Sequence, residues 1–217
     1  MSLRSKGGAR RGEKRCLSPF FHNVRKHNRR HGLEERACRG ILLGKSARGC
    51  HLDKIWKAVV WRQFGAAIDM LENAVRACPQ DLWSDRSRRP EFWYVVYHTL
   101  FYLDLYVSDS VEGFTPPAPF TLSELDPSGA LPERPYTKEE LQSYLEHARS
   151  KCRAWIAALT VDKAQQPCGF EWVGGSYGDL PFYSMRHVQH HVGQLNLILS
   201  EVTQAAPRWV ARTDVSI

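Results

Sequence analysis

The sequence predicts an all-α protein, a bundle of four main helices with one long proline-rich crossover between the second and the third. Two observations carry this expectation. Apolar residues recur at helical spacing in four separated stretches, and no convincing run of strands lies between them. A third supports it: the segment from Val111 to Tyr136 contains Pro116, Pro117, Pro119, Pro127, Pro132 and Pro135, too many for a helix or a central strand.

The first helix is expected from Leu52, where Ile55, Val59, Phe64, Ile68, Leu71 and Val75 share a period, to Cys78, where Pro79 stops it. A polar loop, Ser84 to Arg89, follows. Pro90 stands where prolines open helices, and Glu91 to about Ser110 is apolar nearly all round, so the second helix must be deeply buried. After the crossover, Thr137 and Glu140 stand in the capping-box relation ahead of a stripe of Leu141, Tyr144, Leu145, Ala148, Cys152, Trp155, Ile156 and Leu159. This predicts the third helix. A connector bearing Gly169, Gly174, Gly175 and Gly178 precedes a last helical pattern from Leu180 to about Val202.

A chain of 217 residues with 43% hydrophobic content and seven tryptophans suits one folded domain, expected over 51–205, with a C-terminal tail over 206–217. The net charge of +7 is unevenly placed. Residues 1–50 hold 14 of the 30 Lys and Arg and only Glu13, Glu34 and Glu35, so +11 falls there and −4 on the rest. A mildly acidic body offers no electrostatic footprint for nucleic acid. Residues 1–50 read as a basic, disordered extension, either a nucleic-acid-contacting arm, an organelle transit peptide or a leader foreign to the folded unit. The six cysteines form no CxxC pair, so reduced thiols are expected. With no apolar run of about 20 residues and no signal-peptide pattern, the expectation is a soluble cytoplasmic protein with no membrane partner.

The chemistry concentrates in histidine. Three of the nine stand in Arg186-His187-Val188-Gln189-His190-His191-Val192-Gly193-Gln194. On a helical wheel with His187 at zero, His191 lies at about 40°, Leu195 at about 80° and Ile198 at about 20°, whereas His190 lies at about 300°. His187 and His191 therefore flank the inward face and can point at one ion. Alternatively they hydrogen-bond to their surroundings as ordinary half-buried histidines. His98 is isolated in the apolar second helix, and a buried imidazole without a partner costs about 1–3 kcal/mol. A metal shared with His187 and His191 would supply that partner.

These residues, YHTLFYLDLY around His98, the proline-rich crossover and RHVQHHVGQLNLIL on the last helix, resemble the DinB-like or YfiT-like metalloprotein superfamily over about residues 53–202. The resemblance implies an up-down-down-up four-helix bundle in which His98, His187 and His191 hold a divalent metal ion, zinc or nickel. It also implies either a thiol-linked transferase, using a thiol cofactor on a small-molecule substrate, or a hydrolase. The alternative is a non-catalytic metal- or ligand-binding helical module, a homodimeric interaction or stress-response protein.

Three imidazoles with an open position make a reactive type of site, though they suit zinc, nickel, copper and iron alike. Around it, Tyr102 is either a core aromatic or a group facing the metal. Gln194 either orients His191 or packs between helices. Asp104 lies about 240° from His98, away from that face. His147 is expected at a polar edge, Cys152 and Cys168 as buried or idle thiols, and Glu171 to Gly175 as a connector bordering the pocket.

Overall fold

The computed structural model describes residues 47–217, with side chains from Asp53 onward; the basic extension expected over 1–50 lies outside the described residues apart from the helical backbone at 47–50. Helix α1 spans Ala47–Ala77, beginning before Leu52 and ending just ahead of Pro79 as the proline requires. A single helical turn, α2 (Gln80–Trp83), precedes the expected polar loop at Ser84 to Arg89. Its buried Trp83 donates from Nε1 to the Tyr136 carbonyl at 3.1 Å.

Helix α3 is Phe92–Tyr106, four residues shorter at its end than its apolar pattern. Ser108 turns its hydroxyl back onto the Asp104 carbonyl, and Asp109 takes a positive φ of 69°, so the chain leaves the helix there. Thirteen of its fifteen residues are buried, and only Tyr94 and His98, one turn apart, reach solvent. Helix α4 is Lys138–Ala158, opened by the capping box: Thr137 Oγ1 accepts from the Glu140 amide, and the Glu140 carboxylate accepts from the Thr137 amide. A short turn, α5 (Val161–Ala164), precedes the connector, and α6 runs Leu180–Thr203. Among the described residues there is no strand beyond two isolated bridges.

Cross-helix partners fix the directions. Lys57 meets the Ala157 carbonyl, Arg149 pairs with Asp69 and Glu72, and Lys138 reaches Cys78, so α1 and α4 are antiparallel. Tyr97 meets Tyr136, Asp104 meets Tyr144, and Asp109 meets Trp155, so α3 and α4 are parallel. Tyr106 with Tyr183, Tyr102 with His187 and His98 with His191 make α3 and α6 antiparallel. Trp56 with Phe182 and Met70 with Gln189 make α1 and α6 parallel. Four helices therefore run up, down, down, up.

Parallel neighbours cannot be joined by a tight turn. The chain must travel back the full length of α3, about 22 Å at 1.5 Å per residue, before α4 can start. The proline-rich segment makes that return against α3, with Phe114 edge-on to Phe101 and Phe120 stacked on Tyr97 and Tyr144. Burying each such aromatic contributes about 1.5–3 kcal/mol, so the crossover is part of the core. On the far side, residues near the C-terminal end lie along α1: the Thr213 amide donates to the Arg62 carbonyl and Trp61 Nε1 to the Val215 carbonyl.

Candidate metal centre

Helical spacing puts His187 and His191 one turn apart on α6, and the antiparallel packing of α3 brings His98 opposite them. His191 Nε2 lies 3.1 Å from His187 Nε2, which lies 3.4 Å from His98 Nε2. One ring nitrogen of each imidazole is within 4.8 Å of the others, and among the described residues these three are the cluster of metal-capable side chains. A tetrahedral ion bound to imidazoles at about 2.0–2.1 Å has nitrogen–nitrogen edges of about 3.3 Å. The donor set and the 3.1 and 3.4 Å edges that His187 makes fit such an ion.

The outer nitrogens are oriented from behind. His98 Nδ1 is 2.7 Å from Glu124 Oε2, and a carboxylate there demands a proton on Nδ1, leaving Nε2 as the lone-pair nitrogen of the neutral ring. His191 Nδ1 is 2.7 Å from Gln194 Oε1 and is held in the same sense. His187 Nδ1 is buried and has no hydrogen-bond partner among the described residues. Burial pushes His187 down to about 2, reinforced by the neighbouring imidazoles His191, His98 and His190. Burial and His98 also lower His191, to about 4, against a small opposing effect of the Gln194 hydrogen bond. Both rings are thus held neutral, the form that binds metals.

The model of the DinB superfamily matches residues 63–195, more than half of the chain and all of the three-histidine cluster. The chain belongs to the DinB superfamily. No curated protein and no solved structure matched it.

Within this DinB superfamily bundle, His98, His187 and His191 come together as their sequence pattern predicts. His190 sits on the exposed flank, its ring 5.0 Å from that of His191. Gln194 faces His191. Tyr102 is both things at once, a buried core aromatic and a wall of the site, with ring centroids 4.8 Å from His98 and 5.5 Å from His187. Asp104 lies away from the cluster, fully buried and bonded to Tyr144 and Lys151. His147, half exposed, stands 3.7 Å from that carboxylate rather than purely in solvent.

Cys152 is fully buried, and desolvation raises its pKa far out of the reactive range; Cys78 is likewise pushed up to about 12. The glycine-bearing connector reaches the second layer of the site: Trp172 Nε1 donates to the Tyr106 hydroxyl at 3.2 Å, and Tyr106 in turn packs on His187. Gly169 permits this, because a Cβ there would collide with the Asp109 carbonyl.

Sequence reasoning missed Glu124 and Tyr94. Tyr94 was legible only as another aromatic of the second helix, although it sits one turn before His98. Glu124 lies in a segment with no periodicity, where nothing local marks one carboxylate over Glu112, Asp126 or Glu133.

Proposed function

We propose that the chain holds one divalent ion, zinc or nickel, through His98, His187 and His191, and is a metal-dependent enzyme acting on a small-molecule substrate. The observation that carries this reading is the convergence of three Nε2 atoms whose rings are held from behind by Glu124 and Gln194 or kept neutral by burial. An ion bound there would lower the pKa of a ligated water or thiol and polarise a carbonyl.

Between hydrolysis and thiol-linked transfer, the surrounding residues favour transfer. Hydrolysis gains from a positioned general base. Here Glu124 is committed to His98 Nδ1 and Tyr94, and Asp104 to Tyr144 and Lys151. A thiol that coordinates a metal loses its proton outright and needs no such base. The same shortage of acid–base groups also supports the second reading, a non-catalytic metal-binding module. A homodimer belongs to the proposal too, with Ile55, Val59 and Phe182 as exposed apolar residues on α1 and α6.

Elemental analysis of the purified protein tests the site. About one divalent ion per chain is expected in wild type, with loss in His98→Ala and His187→Ala. Retained stoichiometric metal in His98→Ala would refute the three-ligand site. Metal-loaded protein assayed with low-molecular-weight thiols and electrophiles separates enzyme from module: turnover abolished by His187→Ala is expected of the enzyme, and no turnover across the panel leaves the module.

A further inference from the structure

Glu124 is brought to His98 by a grip that one stripe of α3 exerts on a single turn of the crossover. Four residues at helical spacing, Tyr94, Tyr97, His98 and Tyr102, all reach the stretch Thr121–Glu124. The Tyr97 hydroxyl donates to the Thr121 carbonyl at 2.8 Å and lies 3.2 Å from Ser123 Oγ. The Tyr102 hydroxyl approaches the Glu124 carbonyl at 3.5 Å. The Tyr94 hydroxyl, its pKa pushed up by burial and by the Glu124 charge, neighbours that carboxylate, and His98 Nδ1 completes the set at 2.7 Å. The Glu124 side chain is only 5% exposed although it carries a carboxylate, which is costly to desolvate unless its oxygens are taken up. Those partners are the two residues of α3 that are not fully buried.

We propose that Glu124 is a positioning residue: it fixes His98 as the Nδ1–H tautomer and aims Nε2 into the three-histidine cluster. A buried carboxylate behind an imidazole also raises the basicity of the far nitrogen, so Glu124 contributes to affinity for a cation it does not touch. The three rings are then unequally supported. His98 has a carboxylate behind it, His191 a neutral amide, and His187 Nδ1 no hydrogen-bond partner among the described residues. The proposal rests on the metal reading for its effect on affinity, but its effect on the His98 ring does not need an ion.

The test compares wild type, Glu124→Ala, Glu124→Gln and Ser123→Ala by zinc competition with a chromophoric chelator and, in the metal-free proteins, by nitrogen-15 NMR of the imidazoles. Melting curves first establish that each variant is folded. In wild type, His98 is expected as the Nδ1–H tautomer. Glu124→Ala is expected to lose that preference and to weaken zinc binding by about 10- to 100-fold. Glu124→Gln keeps an acceptor oxygen, so it should keep the tautomer with a smaller loss. Ser123→Ala removes one of the hydrogen bonds that hold the turn but leaves the carboxylate in place, so it should weaken zinc binding clearly less than Glu124→Ala does. The proposal is overturned by a Glu124→Ala protein with wild-type tautomer, or by Ser123→Ala weakening zinc as much as Glu124→Ala does. If wild type binds no divalent ion, the metal reading fails by itself, and the tautomer comparison still decides whether Glu124 sets His98.

Discussion

His98 Nε2 lies 3.4 Å from His187 Nε2 although 89 positions separate the two residues and their helices run in opposite directions. The contact sets two ring nitrogens at the spacing of ligands around an ion; a proton on one of them makes it a hydrogen bond in the metal-free protein, and a shared cation would take that proton's place. Binding to the folded state alone stabilises it: an ion at a hundred times its dissociation constant adds about 2.7 kcal/mol, or about 5 to 10 °C in Tm for a chain of this size. Scanning calorimetry with zinc or nickel against a chelator should show this rise in wild type and none in His98→Ala. An unchanged wild-type Tm under saturating metal would remove the ion from the site.

Acid should destabilise the metal-free protein. His187 and His191 titrate near 2 and 4 in the folded chain against 6.5 for a free imidazole. Between those values the unfolded chain binds more protons than the folded one, so stability rises with pH across this window and falls as pH drops below about 6.5. Melting temperatures of the apo protein from pH 7.5 to 5 should decline, and His187→Gln should flatten the decline. An equal slope in both proteins would mean that the imidazole is not the origin.

The Asp104 cluster predicts a stability effect without a metal effect. Asp104 is fully buried and its charge is taken up by Lys151 and the Tyr144 hydroxyl from α4, whereas His98 faces α6. Removing one partner strands a buried charge, so Lys151→Ala should cost about 3 kcal/mol, the low end for a buried pair because Lys151 is one-third exposed. Urea unfolding measures the cost. Zinc stoichiometry should stay at the wild-type value.

Gly193 follows His191 by two residues in the interior of α6, and a Cβ placed there meets nothing within 4 Å. Glycine inside a helix is less favourable than alanine by about 1 kcal/mol, so Gly193→Ala should stabilise the protein by up to that amount. A higher Tm with unchanged zinc affinity is the expected pair of results. A higher Tm with turnover lost would instead make the glycine a matter of substrate access.

Much of the bundle was legible because it is local. The Thr137–Glu140 box opened α4 at the expected residue, and the apolar Phe92–Tyr106 run became the buried α3. Boundaries moved where distant groups intervened. Trp83 found a hydrogen bond at Tyr136 and ordered a short turn between Pro79 and the expected loop, and Asp109 left the helix to meet Trp155 and the Gly169 connector.

The sequence by itself determined that His187 and His191 share a helix face and that His190 does not, because 3.6 residues per turn sets those directions whatever packs against them. It also marked His98 as the odd polar residue of an apolar helix. Only the tertiary structure decided which groups stand behind the rings. That choice depended on α3 and α4 being parallel, which sends the crossover back along α3 and carries Glu124, 26 residues from His98, to its Nδ1. No spacing rule reaches along a return path whose course is set by the packing of Phe114, Phe120 and Tyr97.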